Sequence, residues 1–217
     1  MQHFTSLDKA ACRALARAEG PVAAIIAEDT AEVTSTLAHH GRHGFRTLLL
    51  FSPPELTVDP VPDANLIRID FPTRKEGATS EIVNAVNRVL PEGTWLYYGY
   101  NAEYLFYPFA ETRSVAEMLA FHAEERRGAM LAYVIDLYAG DLGSGESAVS
   151  LADAWLDSSG YYSLSRAGEA GPKERQLDFY GGLRWRFEEQ VGEDSHRIDR
   201  IALVRTRHDL RFRADHT

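Results

Sequence analysis

Two periodicities alternate along this chain, and the places where one gives way to the other mark out its elements. Over 7–19 the apolar residues recur at helical spacing, with Leu7, Ala11, Leu15 and Ala18 on one face. Ser6 is placed as the N-cap and Gly20-Pro21 as the stop. Residues 22–27 then form an unbroken apolar run of strand length, as expected for a strand buried on both faces. Thr30 is placed to cap a second helix, with Val33 and Leu37 facing inward and an end near 41–44. A second apolar run at 47–51 predicts another strand, followed by a Pro-rich loop over 52–64. Residues 66–71 alternate, with Ile67, Ile69 and Phe71 on one face and Arg68 and Asp70 on the other. A third helix is predicted over 80–90, with Ile82, Val86 and Val89 inward, and a strand over 95–100.

Strand, helix, strand, strand, helix, strand predicts an α/β fold with a mostly parallel, doubly wound sheet and helices on both faces. Beyond it, Ser114 and Glu117 have the spacing of a capping box that opens a helix reaching about 127. An apolar strand interrupted by Asp136 is predicted over 129–138, and the last strands over 198–205 and 210–213. Residues 140–150 and 167–174 are rich in Gly, Ser and acids and read as exposed loops; the stretch between them carries Trp155, Tyr161 and Tyr162. No repeat and no domain linker is evident, so one domain over 1–217 is expected.

Composition narrows the function classes. The chain has 45% hydrophobic and 25% charged residues, ordinary for a globular protein, and no apolar run of membrane-spanning length. No basic segment followed by an apolar core opens the sequence, and the single Cys12 suits a reducing compartment, so a cytoplasmic protein is expected. A net charge of −9 argues against a general nucleic-acid binder. The charge is uneven, however: residues 173–213 hold ten Lys or Arg against eight Asp or Glu. Such an end suits a diphosphate or an acidic surface, and equally a set of solvated faces.

The most informative stretch is 95–108, WLYYGYNAEYLFYP: an aromatic strand, a polar tip at Asn101-Ala102-Glu103, then a second aromatic run. This stretch resembles the strand W-L-x-x-x-D-A-D-E-F-L-V-Y-P of the bacterial family 2-like glycosyltransferases. Trp95, Leu96, Glu103, Leu105, Tyr107 and Pro108 match, and Tyr104 stands for the Phe. Further matches are Glu111-Thr112-Arg113, Asp136-Leu137-Tyr138, Gly181-Gly182 with Arg184, Arg205 and the terminal His216-Thr217. The resemblance implies a GT-A fold, with a nucleotide-binding half over 22–108 and an acceptor half over 109–217 that is short at its C-terminal end. It implies transfer of a sugar from a nucleotide-sugar donor to a glycan or other hydroxyl acceptor. The two Asp of the family's D-x-D, which hold the divalent cation, fall on Tyr100 and Ala102. A hard cation such as Mg²⁺ or Mn²⁺ needs charged or carbonyl oxygens, so weak or no metal dependence is expected and no metal ligand is assigned. The alternative is a catalytically inactive GT-A module that binds a nucleotide, a glycan or a protein partner.

Several residues carry the candidate chemistry. Glu28 and Asp29 end the first predicted strand, where carboxylates can accept from ribose hydroxyls or a base N–H; acids entering a helix also favour its dipole. Asp70, Arg74 and Lys75 follow the third strand, and the basic pair offers charge for phosphates in place of a metal, or simply solvates a loop. Asn101 belongs to the tip, together with Glu103, the surviving acid there and a candidate catalytic residue, which either contacts a sugar hydroxyl or holds a weak Mg²⁺ or Mn²⁺ through water, or else pairs locally. Asp136, with Asp157 as a second choice, is the candidate general base for the acceptor, and a structural ion pair explains it equally well. Arg184 is a further donor-side cation. The cluster His39, His40, His43 lacks the spacing of a zinc site, and Gly143-Ser144-Gly145 lies outside any strand-to-helix elbow. Neither a G-x-G-x-x-G nor a P-loop occurs. Tyr97, Tyr98, Tyr100 and Tyr104 offer rings for stacking, as half-buried strands also do.

Overall fold

The computed structural model describes residues 1–59, 61, 64–141, 143, 150–168, 171–192 and 195–213. The chain forms two compact units, residues 1–130 with 202–217 and residues 131–201.

The first unit is built on parallel strands. They are β1 (Gln2–Phe4), β2 (Val22–Ile26), β3 (Thr47–Ser52), β4 (Leu66–Asp70) and β5 (Trp95–Tyr100). With β6 (Ala129–Tyr133) and β11 (Asp199–Arg205) they make a seven-stranded sheet in the order β1-β4-β3-β2-β5-β11-β6. Pairing is parallel from β1 through to β5, and β11 runs antiparallel to β5. The expected α/β fold with a mostly parallel sheet is therefore present. Its helices are α1 (Lys9–Leu15), α2 (Val33–Arg42), α3 (Ala78–Val89) and α4 (Val115–Glu124).

Strand alternation sends neighbouring residues to opposite faces, and both faces are covered. One face carries Val22, Ala24, Ile26, Leu49, Phe51, Leu96 and Tyr98 in a single cluster with Leu15 of α1 and Ile82 and Val86 of α3. On the other, the Tyr97 ring lies against His40 of α2 and against Phe45, with centroids 4.8 and 5.7 Å apart. Arg68, on the polar face of its strand by pattern, is also buried, and its Nη2 donates to Pro53 O at 3.3 Å.

Several expectations change in detail. The first helix is shorter than 7–19 and is capped by Asp8, not Ser6, because the Asp8 carboxylate accepts from Ala10 N and Ala11 N at 2.7 and 2.9 Å. The helix opened by Ser114 has the expected capping box but ends at Glu124. Residues 210–213 form no strand. The amide of Asn84 on α3 pairs with both backbone groups of Phe212, donating to its O at 2.8 Å and accepting from its N at 2.7 Å, so a side chain takes the place of a neighbouring strand.

In the second unit the predicted strand 129–138 is divided into β6 and β7 (Tyr138–Ala139), and β7 pairs antiparallel with β8 (Ala154–Trp155). Residues 167–174, expected as a loop, fall largely in β9 (Tyr162–Gly168) and β10 (Gly171–Tyr180), an antiparallel pair. Helix α5 (Gly182–Arg186) follows.

Candidate functional site

The chain runs β2, β3, β4 outward in one direction and then returns to place β5 on the other side of β2. The carboxyl ends of β2 and β5 thus flank a topological switch point, the place where open α/β sheets leave a crevice. Ile26 is in register with Tyr100, which brings residues 27–31 against the 101–103 tip.

Asn101 joins the two strand ends. Its Oδ1 accepts from Glu28 N at 3.2 Å, and its Nδ2 donates to Asp29 Oδ1 at 2.7 Å and to Ala31 O at 2.9 Å. Asp29 Oδ1 also accepts from Ala31 N at 2.9 Å, closing a turn at the end of β2. From the far side, Thr73 Oγ1 donates to Ala27 O at 2.7 Å and Arg74 Nε to Glu28 O at 2.6 Å. The crevice therefore unites Glu28, Asp29, Arg74 and Asn101. The Glu28 carboxylate has no hydrogen bond or ion pair among the described residues, and Arg74 remains exposed, 3.8 Å from Glu55.

The tip itself is tightly turned. Ala102 adopts a left-handed backbone, φ 60°, and its N–H donates to Thr36 Oγ1 at 2.9 Å. Glu103 Oε2 accepts from Tyr100 N at 2.9 Å, so the carboxylate closes its own turn. A Cβ added at Gly99 would run into Tyr97 Oη and, 2.9 Å away, Glu103 Oε2; a residue without a side chain is required there. Helix α2 holds the segment after the tip: Ser35 Oγ lies 2.9 Å from Tyr104 Oη, and His39 Nε2 donates to Leu105 O at 3.0 Å.

These donors do not fit a divalent cation. Tyr100 Oη is hydrogen-bonded to Thr79 Oγ1 at 2.6 Å, Ala102 offers only a methyl group, and Glu103 is turned to the backbone. What the crevice offers instead is carboxylates for hydroxyl or N–H donors and one guanidinium for phosphate oxygens.

The remaining candidates have partners of their own. Asp70 accepts from His3 Nε2 at 2.8 Å and lies 3.4 Å from Arg68 Nε. Lys75 pairs with Glu81 at 2.5 Å and stands over the Phe71 ring. In the second unit Asp136 and Arg184 are bonded to each other by two contacts, Nε–Oδ2 at 2.7 Å and Nη2–Oδ1 at 3.2 Å. Arg184 Nη1 further donates to Arg197 O at 2.6 Å. Asp157 is buried and takes Arg186 Nη2 and, at 3.3 Å, the Tyr138 hydroxyl. Tyr97 and Tyr98 are buried and present no face for stacking. Among the described residues, no three His, Cys, Asp or Glu are grouped to hold a metal. Within the histidine cluster, His40 is fully buried and its Nδ1 donates to Thr36 O at 2.8 Å. Burial pushes it down to about 4. Ser144, Gly145, His216 and Thr217 lie outside the described residues.

Sequence reasoning missed Thr36, Ser35 and Thr73, whose hydroxyls fasten the crevice walls. The available signal was the inward position of Thr36 beside Leu37 on a helix face that otherwise reads apolar. No helix among the described residues is long and apolar enough to cross a membrane. Comparison with protein-family models, with curated proteins and with solved structures found no match for the chain.

Proposed function

We propose that this protein is a GT-A-type, family 2-like glycosyltransferase that takes a nucleotide sugar in the β2–β5 crevice and transfers the sugar to a hydroxyl acceptor with little or no metal dependence. The observation that carries the reading is the joining of Glu28, Asp29 and Asn101 at the switch point, with Arg74 on the same wall. Carboxylates there suit ribose hydroxyls and a base N–H, and a guanidinium suits a diphosphate without a bridging cation. A departing diphosphate needs its developing charge stabilised, and Arg74 is the group for that role. Asp136 is the base this reading assigns to the acceptor hydroxyl, once its bond to Arg184 is exchanged for substrate.

A second reading is favoured by that same bond. Both oxygens of the Asp136 carboxylate are engaged by Arg184, and a binding module of the same fold needs no base. The test is a panel of nucleotide sugars, with and without Mn²⁺, read first by thermal shift and then by release of nucleoside diphosphate. A donor at a hundred times its dissociation constant stabilises by about 2.7 kcal/mol. Turnover that disappears in Asp136→Asn supports transfer. Binding without turnover supports the module, and no binding by any donor overturns both.

A further inference from the structure

The geometry points to a second, separate anion site, in a cleft between α1 and the β1–β4 edge of the sheet, that takes the phosphoryl group of a small phosphorylated molecule. The cavity measures about 320 Å³ and is lined by Gln2, Phe4, Asn65, Ile67, Arg13 and Arg17 together with Ala10, Ala14 and Ala18. Its origin can be traced to the helix. Ala11 and Leu15 are buried in the core, while Ala10, Ala14 and Ala18 recur every four residues beside them. Methyl groups at that spacing leave a channel that longer side chains would fill.

Two guanidinium groups stand at this channel one helical turn apart, Arg13 in the last turn of α1 and Arg17 in the turn that follows. Arg17 lies past the helix end, in a turn closed by its N–H to Ala14 O at 3.1 Å, and both residues line the same cleft. Neither has an ion pair or hydrogen bond among the described residues, although the chain carries a net charge of −9. Some exposed cations do find carboxylates, Arg46 3.7 Å from Glu19, Arg113 2.8 Å from Glu117 and Arg207 2.6 Å from Asp209, whereas Lys9, Arg42, Arg88 and Arg126 have none among the described residues. The acids nearest in sequence are occupied, Asp8 by the first N–H groups of α1 and Glu19 by Arg46.

Paired guanidinium forks match the oxygens of a phosphoryl dianion. Gln2 and Asn65 add amides at the rim, and Phe4 and Ile67 give an apolar floor for a small organic body. The phosphoryl group is the shared chemistry, whether it arrives as inorganic phosphate or on a metabolite. This site lies away from the β2–β5 crevice and does not rest on the proposed transfer activity.

Phosphate and glycerol phosphate, each titrated against chloride at constant ionic strength, provide the test by thermal shift and calorimetry on the whole chain. Saturable stabilisation is expected, with at least tenfold weaker binding in the double variant Arg13→Gln, Arg17→Gln. Ala14→Leu, which fills the channel and keeps both charges, is expected to weaken glycerol phosphate more than phosphate. Equal melting temperatures of the variants in chloride would show that the fold is intact. Equal affinity for the two probes places recognition in the phosphoryl group, and tighter glycerol phosphate adds the rim amides of Gln2 and Asn65 to its hydroxyls; both support the site. No stabilisation beyond chloride overturns it, as does a shift that survives the double variant. A shift lost instead in Arg74→Gln would move the anion to the crevice and also overturn the inference.

Discussion

Asp29 and Asp136 are both acids at the ends of apolar strand segments, yet the two units treat them differently. In the first unit, Asp29 is exposed and shares one oxygen between Asn101 and Ala31, beside a core of fully buried side chains such as Ile26, Phe51 and Tyr98. In the second, Asp136 is locked to Arg184, Asp157 to Arg186, and Asp178 and Asp199 to Arg197. Large apolar groups meanwhile stay outside: Trp155 is 58% exposed and Leu164 54%. One unit is held by apolar burial and leaves the Glu28 carboxylate without an ion pair among the described residues. The other places Asp136, Asp157, Asp178 and Asp199 in ion pairs with Arg184, Arg186 and Arg197.

The largest effect should come from the first unit's core. Tyr98→Ala removes a buried ring that packs edge-on to Phe212, and a loss of about 3–5 kcal/mol is expected from urea unfolding. Trp155→Ala, at an exposed ring, should cost within about 0.5 kcal/mol. If the two costs were similar, the contrast between the units would fail.

Acid should act next, and on the first unit. His40 is neutral when folded because burial lowers its pKa to about 4, below the 6.5 of an exposed ring. The unfolded chain therefore takes up the proton first as pH falls. Stability is complete above about 6.5 and lost between there and about 4, by roughly 3 kcal/mol. His39, shifted down by burial as well, works in the same direction. Unfolding free energies measured from pH 7.5 to 4 should fall in this way, and His40→Gln should flatten the curve.

Asp136→Asn should cost about 1–2 kcal/mol, since both partners are only 27% exposed and the fork of Arg184 loses its charge partner. Faster amide exchange confined to 131–201 would show that the loss belongs to the second unit. An unchanged exchange pattern would make the ion pair incidental.

Much of this contrast was legible in the sequence, and where it was not the reasons are physical. Strands β2, β3 and β5 were readable because 22–27, 47–51 and 95–100 are continuous apolar runs between turn residues. The strand pair β9–β10 was not, because Ala167, Gly168, Gly171 and Pro172 carry the composition of a loop and the pairing that makes them strands is between chain segments. The juxtaposition of Glu28, Asp29 and Asn101 was legible because strand ends are predictable. The pairing of Asp136 with Arg184 spans 48 residues and leaves no local pattern. Strand β1, three residues long, is too short for any periodicity to register.

The smallest effect on stability should accompany the largest on binding. Asp29→Ala gives up one exposed turn bond and one bond to Asn101, worth under about 1 kcal/mol together. In the proposed function it should weaken nucleotide binding about tenfold, which is about 1.4 kcal/mol. A melting temperature that drops sharply would mean that Asp29 serves the fold and not a ligand.

The backbone at Ala102 has a consequence for how this tip can change. An L-residue with a Cβ strains at φ 60°, by roughly 1–2 kcal/mol, whereas Gly, Asn and Asp adopt that shape readily. Substitution at this position is therefore biased: Ala102→Asp eases the main chain and in the same step adds a carboxylate to the tip. A carboxylate at the tip therefore comes with a gain in stability, and the obstacle to building a cation site around it is Tyr100, whose hydroxyl is already committed to Thr79.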